Sequence, residues 1–396
     1  MRSLLLPAIV LLYAYPAMAQ SGRPVRNAPP RISSSDKKPA DKSFAWPTQL
    51  EMRVPFEPTA FPSGEKSYLM YELYLTNYGS SAHTFSRLEV LDADAGEAAP
   101  IASFDAEQLA AMVQPIGDIS GKNKLTLGGG QSAIVFVSIA TGRKAHFPRR
   151  VVHRIRMGDT ALEGAGIATH HTTLHLFGPP LEGANWLAAD GPSNDEDNHH
   201  RRGVLVMDGS PVDSRRYAID WKQMQNGASF SGDARDVHSY YSYGNAVLAV
   251  ADGRVITSKD GLPDNIPGHG EAFHPAVPIT LETVAGNTIT LDLGGGQFAY
   301  YMHLQPGSLR VKAGDHVRRG QLLARVGASG DAREPHLHFE VTTSPRLIRG
   351  EGVPYLIARY RSSSKGTQEE HTHDLPLDNE VIDFGEAMRS TRQHAP

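Results

Sequence analysis

Cysteine is absent from all 396 residues of this chain. No disulfide can therefore hold the fold together, and the folded domains must depend on their apolar cores even in an oxidising compartment.

A strong excess of charge of one sign is also missing. The 39 lysines and arginines nearly balance the 43 aspartates and glutamates, which gives a net charge of −4. This balance gives no sign of nucleic-acid binding and argues against a strong electrostatic grip on an anionic polymer.

Long hydrophobic runs are absent as well, apart from one short run at the start of the chain. Arg2 precedes the apolar residues 4–13, and Ala17-Met-Ala19 offers small residues before Gln20. This pattern predicts a secretory signal peptide over residues 1–19. A membrane helix needs about 20 apolar residues, and no later segment approaches that length. We therefore expect an exported chain with no membrane span after signal cleavage.

The remaining chain divides by composition. Residues 20–46 are rich in Pro, Ser, Lys and Arg, which predicts a disordered leader. Residues 47–178 show short β patterns separated by turns, typical of an immunoglobulin-like β-sandwich. The pair Pro179-Pro180 marks a boundary. A second β domain over residues 183–361 and a polar tail over 362–396 follow.

Two local patterns support the first β domain. Residues 67–77 alternate so that Leu69, Tyr71, Leu73 and Leu75 share one face of a strand. Residues 104–113 predict one short helix, with Asp105 as its N-cap.

The most informative segment is HLHFEV, residues 336–341. Strict alternation predicts a strand with His336, His338 and Glu340 on one face and apolar residues on the other. Two imidazoles about 7 Å apart suit a metal ligand beside a catalytic base. The alternative is an exposed edge with two solvated histidines. A second such pair, His371-Thr-His373, lacks an alternating apolar face and predicts a solvated acidic stretch.

Residues 183–345 resemble the M23 peptidases, the lysostaphin- and LytM-type zinc endopeptidases that cleave peptide bonds in bacterial cell walls. The likeness is carried by HLHFEV, by HLQPGSL at residues 303–309, and by residues 243–255. It implies a compact antiparallel β domain with the metal in a groove across the sheet. It also implies that His338 binds zinc and that His336 and His303 are catalytic. The alternative for His303 is a structural histidine in the core, whose ring nitrogens have hydrogen-bond partners and no catalytic role.

The sequence departs from the usual first motif of this family, His-x-x-x-Asp. Asp220 is present, but Arg216 stands where the histidine belongs, and a guanidinium has no lone pair to offer a metal. The nearest replacements are His199 and His200. We expect residues 204–206 to pair with residues 217–221 around a turn at Asp208, which would return the two histidines to Asp220.

The region resembles a variant branch of the family with a His-Arg pair at this place, which implies His200 as the ligand. The expected site is therefore His200, Asp220 and His338, holding one Zn²⁺ per chain with the fourth position open, as in catalytic zinc sites. Glu340 is expected to support His338.

The resemblance implies a zinc-dependent endopeptidase that acts on cell-wall peptidoglycan in the periplasm or outside a bacterial cell. One of His303 and His336 would act as the base, and the other would stabilise the charged intermediate. The alternative is a catalytically inactive regulator of another wall hydrolase, which Arg216 favours.

Overall fold

The computed structural model describes residues 46–96, 99–117, 123–169, 172–364 and 367–385. The predicted signal peptide and residues 20–45 of the predicted leader lie outside these ranges. Met1–Pro47 and Thr48–Pro396 are separate units, and the description below concerns the second. Among the described residues, no helix has the length and apolar character needed to cross a membrane.

The first part of the chain forms two main antiparallel sheets, called here the N-terminal sheets. One has the order β1-β3-β9-β7, with β2 added to β3, and the other has the order β11-β10-β5-β6, while β4 pairs with β8. The strands are β1 Leu50–Arg53, β2 Phe61–Ser63, β3 Lys66–Asn77, β4 His83–Thr84, β5 Arg87–Asp92, β6 Ala102–Phe104, β7 Val113–Ile116, β8 Thr126–Leu127, β9 Ser132–Gly142, β10 Arg150–Met157 and β11 Thr160–Ala168.

The predicted short helix is present as α1, Ala106–Met112. Asp105 accepts a hydrogen bond from the Gln108 amide, and the Gln108 side chain accepts one from the Asp105 amide. This reciprocal capping box satisfies two amides that have no partner within the helix.

The two N-terminal sheets share one apolar core, as in a β-sandwich. The predicted inner face of β3 is confirmed, because Leu69, Tyr71, Leu73 and Leu75 all lie in this core. Simple alternation leaves the other face of β3 to solvent, but Met70, Glu72 and Tyr74 on that face are buried too. The rest of the chain covers them.

The second part of the chain builds an eleven-stranded sheet, called here the C-terminal sheet. Its order is β12-β24-β26-β13-β16-β23-β20-β19-β18-β21, with β25 added to β24; β14 pairs with β15 and β17 with β22. The strands are β12 Leu176–Phe177, β13 Trp186–Ala189, β14 Leu205–Met207, β15 Ser210–Val212, β16 Ile219–Gln223, β17 Ala246–Leu248, β18 Gly253–Lys259, β19 Asn287–Asp292, β20 Phe298–Leu304, β21 His316–Val317, β22 Leu322–Arg325, β23 Leu337–Thr342, β24 Leu356–Ser364, β25 Thr367–Asp374 and β26 Val381–Asp383. Val237–Ser239 and Gly270–Ala272 are short 3-10 turns.

The expected pairing of residues 204–206 with 217–221 is wrong. Strand β14 pairs with β15 instead, and Met207 faces Ser210. Asp208 and Gly209 both have positive φ, 51° and 83°. Two such residues close a two-residue hairpin turn, so the chain reverses before it can reach β16.

The C-terminal segment differs from the polar tail expected from residue 362, because β25 and β26 join the C-terminal sheet. The prediction that His371 is solvated is wrong. His371 is buried, stacks on Tyr360 and contacts Ser362 Oγ at 2.7 Å and Asp374 Oδ2 at 3.1 Å. The all-β fold is confirmed, while the domain boundaries and the immunoglobulin-like class of the sandwich stay predictions.

Phe339 packs at the centre of the apolar face of β23. Its ring meets those of Phe177, Tyr301 and Tyr355 at centroid distances of 6.2, 5.1 and 5.3 Å, in edge-on arrangements. This face holds the opposite, histidine-bearing face of the strand in place.

We expect Phe339→Ala to lower the free energy of unfolding by about 3–5 kcal/mol, because it removes a fully buried aromatic ring and leaves a cavity. Denaturant unfolding measures the loss. Tyr78→Ala is the control, since Tyr78 is 71% exposed, and its effect should stay within about 0.5 kcal/mol. Equal losses in the two variants would contradict the assignment of Phe339 to the core.

Candidate metal centre and active site

Strand β23 presents its polar residues to one cleft. His338 and Glu340, together with His336 just before the strand, are buried and line a cleft of about 540 Å³. Leu337 and Phe339 lie in the apolar core on the other side. The predicted alternation of this segment is confirmed, and the alternative of a solvated edge is excluded.

Asp220 lies directly opposite His338 on the neighbouring antiparallel strand β16. Its Oδ1 is 2.8 Å from His338 Nδ1, and its Oδ2 is 3.4 Å from His336 Nε2. Burial alone would raise the pKa of Asp220, but the surrounding histidines hold this pKa well below its usual value. The carboxylate is therefore charged and available as a ligand.

His338 lies between two carboxylates. Its Nε2 is 3.4 Å from Glu340 Oε2, while Nδ1 faces Asp220. Burial would lower the pKa of His338, but the hydrogen bonds with Asp220 and Glu340 outweigh burial and raise the pKa to about 9. The geometry leaves Nδ1 as the atom directed at the site, with Glu340 placed to orient the ring through Nε2.

His200 reaches Asp220 from a loop rather than from a paired strand. Its Nε2 lies 3.4 Å from Asp220 Oδ1, and its Nδ1 lies 2.8 Å from the Asp190 carbonyl oxygen. A carbonyl only accepts, so Nδ1 carries the proton and Nε2 keeps its lone pair toward Asp220. Burial lowers the pKa of His200 to about 3, which also keeps the ring neutral.

His199 lies beside His200, and both rings face the same carboxylate. Its Nε2 is 3.9 Å from Asp220 Oδ2, and its Nδ1 is 2.9 Å from Asp190 Oδ1. The ligand atoms of His199, His200 and Asp220 all lie within 4.8 Å of one another. Adjacent residues of a strand point to opposite faces, which predicts different directions for His199 and His200; this prediction is wrong, because the two residues occupy a turn and not a strand. They differ in exposure: the side chain of His199 is 54% exposed and that of His200 is 2% exposed.

The donor atoms fit zinc. Imidazole nitrogen and carboxylate oxygen bind Zn²⁺ at about 2.0–2.2 Å, and a tetrahedral arrangement then separates neighbouring donors by about 3.4 Å. The distance from His200 Nε2 to Asp220 Oδ1 is 3.4 Å and matches this separation, whereas His338 Nδ1 lies 2.8 Å from the same oxygen, a hydrogen-bond distance that would have to lengthen around an ion. His200, Asp220 and His338 could each supply one such donor, and His199 is a further candidate, because its ligand atom also lies within 4.8 Å of those of His200 and Asp220.

Arg216, which stands at the usual ligand position, does not line this cleft. Its guanidinium is buried against Glu72, with Nη2 at 2.5 Å from Oε2, and also pairs with Glu351 at 2.6 Å. A histidine at this position would meet Glu72 and not the metal site.

His303 enters the cleft through a local irregularity of β20. The sequence predicts Tyr301 and His303 on one face, but Tyr301 lies in the apolar core and Met302 lines the cleft together with His303. The pairing of β19 with β20 shifts register here, and His303 has a φ of 61°. This unusual backbone conformation for a non-glycine residue turns the imidazole into the cleft, so the predicted alternation is wrong at this residue.

His303 and His336 form a neutral pair beside the candidate metal ligands. Their ring centroids are 4.8 Å apart. Each Nδ1 lies 2.8 Å from a backbone carbonyl, that of Ser329 for His303 and that of Glu334 for His336, so both Nδ1 atoms donate. Burial lowers the pKa of both imidazoles, that of His303 well below its usual value. Both Nε2 atoms therefore keep lone pairs for accepting a proton.

Sequence reasoning did not find two residues that support this site. Asp190, directly after β13, holds His199 through its carboxylate and His200 through its carbonyl. Glu334 pairs with Lys222 at 2.9 Å beside His336. Glu334 could have been found from the sequence, because it lies two residues before the histidine motif. Nothing in the sequence links Asp190 to residue 200. His269 also lines the cleft.

Residues 236–349 match the sequence profile of peptidase family M23. The matched range contains His303, His336 and His338 and begins after His200 and Asp220. The peptidoglycan DD-endopeptidase ShyB of Vibrio cholerae is 30% identical over 105 residues, which are 26% of this chain and 24% of ShyB. The murein hydrolase activator EnvC of Escherichia coli is 30% identical over 130 residues, 33% of this chain and 22% of EnvC. The chain thus spans about a quarter of the length of these relatives.

Among solved structures, the catalytic domain of lysostaphin from Staphylococcus simulans is 22% identical and covers 35% of this chain and 71% of that domain, with a TM-score of 0.20. The profile match and the curated relatives confirm the resemblance predicted from the histidine motifs: residues 236–349 of the chain are similar to peptidase family M23.

Proposed function

We propose that this protein is a zinc-dependent endopeptidase that hydrolyses peptide bonds in bacterial peptidoglycan. The observation that carries the proposal is the convergence of His200 Nε2 and His338 Nδ1 on one oxygen of Asp220. The neutral pair of His303 and His336 lies in the same cleft, so a ligand set and two proton acceptors are present together.

Each residue of the site would have a separate role in the reaction. Bound zinc would polarise the scissile carbonyl and lower the pKa of water. His303 or His336 would accept a proton at Nε2, because the Nδ1 atoms already donate to backbone carbonyls. The other histidine of the pair has no proton on Nε2 in this tautomer, so it could donate a hydrogen bond to the developing negative charge only when that nitrogen is also protonated. Glu340 and the Asp190 carbonyl would hold the two ligand histidines in orientation.

A peptidoglycan substrate is supported by the relatives and by one cation of the cleft. ShyB is named a peptidoglycan DD-endopeptidase. Among the cleft cations, Lys222 pairs with Glu334 and Arg333 with Asp331, whereas Arg215 has no carboxylate partner among the described residues. Arg215 is therefore available to a carboxylate of a wall peptide. Export would follow from the signal pattern of residues 1–19.

The second candidate is a regulator without catalytic activity. EnvC is named a murein hydrolase activator, and the profile match does not reach His200 or Asp220. The replacement of histidine by Arg216 favours this function. The cleft contains all five residues of the expected site, which are His200, Asp220, His303, His336 and His338. This favours catalysis, since a protein that only activates another hydrolase does not need them.

We expect the purified protein to bind one zinc ion per chain and to digest purified peptidoglycan. Chelation should abolish digestion and added zinc should restore it, because the three donors leave a fourth coordination position for chemistry. Elemental analysis and release of soluble muropeptides are the measurements. Zinc binding without digestion would support the regulator, and absence of zinc from a zinc-supplied protein would contradict the proposed metal site.

His200→Ala should lose both zinc and digestion while the fold survives. His199→Ala is the matched control and should keep most zinc, because its nitrogen lies farther from Asp220 and its ring is exposed. Zinc content and circular dichroism are compared for the two variants. The reverse pattern would make His199 the ligand, and full zinc content in both would place the third ligand elsewhere.

His303→Ala and His336→Ala should keep zinc yet lose activity by about 10²–10⁴-fold, the usual contribution of a general acid or base. Both side chains lie in the cleft, but neither belongs to the proposed ligand set. Zinc content and digestion rate are measured on the same preparations. Loss of zinc from His336→Ala would show that the roles of His336 and His338 are assigned the wrong way round.

A further inference from the structure

Glu72 is a buried acid on a strand of the N-terminal sheets, far in sequence from the cleft. It lies on the outer face of β3, opposite the core-facing Tyr71 and Leu73, and its side chain is only 2% exposed. A buried carboxylate needs charged or hydrogen-bonding partners. Here both partners come from segments of the candidate metal site.

Arg201 is the first partner, and it directly follows His200. Its guanidinium pairs with Glu72 Oε1 and donates to the carbonyl oxygens of Tyr71 and Val137 at 2.9 and 3.1 Å. Its side chain is 1% exposed. Since Tyr71 and Val137 are paired residues of β3 and β9, one side chain fastens the His200 loop to the N-terminal sheets.

Arg216 is the second partner and precedes Asp220 by four residues. Its Nε lies 3.0 and 3.1 Å from the two oxygens of Glu72, and Nη1 donates to the Gly352 carbonyl at 2.9 Å. The single carboxylate of Glu72 therefore joins the segment that carries His200 to the segment that carries Asp220.

The cluster is not explained by stability alone. Desolvation of buried ions offsets most of their attraction, so apolar replacements of similar volume are often as stable. Burial and Glu72 raise the pKa of nearby Asp213 to about 8, so Asp213 is mainly neutral at pH 7. Two carboxylates, Glu72 and Glu351, then balance Arg201 and Arg216. Apolar side chains could not form the directed hydrogen bonds through which each guanidinium holds its segment in place.

We propose that Glu72 is a positioning residue of the metal site, which fixes His200 against Asp220 by holding Arg201 and Arg216 at once. The inference rests on the proposed function for the identity of the site. It gives the N-terminal sheets a part in that site, although they contribute no ligand.

The test compares Glu72→Gln with Glu89→Gln in the full chain. Glu89 is the matched control, because it is also a buried acid of the N-terminal sheets and pairs with two arginines, Arg154 and Arg156. Zinc affinity is measured by competition with a chromophoric chelator. Glu72→Gln should weaken zinc binding by about 10–100-fold, the usual effect of losing a residue that orients a ligand. Glu89→Gln should bind zinc like the unmodified protein.

A second readout needs no metal. Hydrogen–deuterium exchange of the metal-free protein should become faster at residues 198–203 in Glu72→Gln and stay unchanged there in Glu89→Gln. If the unmodified protein binds no zinc, the proposed function fails, and exchange alone decides the positioning role. Unchanged zinc affinity in folded Glu72→Gln overturns the proposal where zinc binds, and unchanged exchange overturns it where zinc does not bind.

Arg201→Lys covers the case in which Glu72→Gln does not fold. Lysine keeps the positive charge, but its single ammonium cannot match the fork that reaches Glu72, Tyr71 and Val137. Weaker zinc binding and faster exchange at residues 198–203 are again expected. Effects of Glu72→Gln and Arg201→Lys should be non-additive in the double variant, because each variant breaks the same contact. Additive effects on zinc affinity would overturn the coupling of Glu72 to His200 through Arg201.

Discussion

The buried carboxylate of Asp220 is the constraint around which the candidate site is arranged. It is taken out of water and must find compensation, and His200, His336 and His338 supply it at 2.8–3.4 Å. The position of this carboxylate follows from one register, in which Asp220 of β16 faces His338 of β23. A slip of one residue would turn every side chain of β23 to the other face and bury the histidines in the apolar core.

The sequence predicted those features that depend on local periodicity. HLHFEV alternates because one face of β23 packs on Tyr301 and Tyr355 while the other meets the cleft. The inner face of β3 and the capping box of α1 are equally local. The burial of Glu72 was beyond reach, because it is set by contacts with residues more than 120 positions away. The route of residues 199–200 to Asp220 was also missed, since the loop is held by Asp190 and Arg201 and not by strand pairing.

Periodicity failed at His303, where the chain departs from regular strand geometry. A regular strand would have sent this imidazole to the core side with Tyr301. The φ of 61° and the register shift turn it instead toward His336, and the Ser329 carbonyl fixes its tautomer. Such a conformation is unfavourable for a side chain with a Cβ atom and persists only when the surroundings enforce it. Its occurrence at a histidine of the cleft agrees with a role in chemistry better than with a core histidine that merely satisfies its hydrogen bonds.

The arginine at position 216 then has a physical meaning other than loss of a site. Once a ligand histidine lies on a loop at residue 200, the loop needs an anchor that a paired strand would have supplied. Arg201 and Arg216 provide this anchor by sharing Glu72. Loss of either arginine would leave the remaining charges of the buried cluster unbalanced. Under the proposed function, His200 and the two arginines that share Glu72 form one arrangement, in which Arg216 supports the ligand segments instead of supplying a ligand.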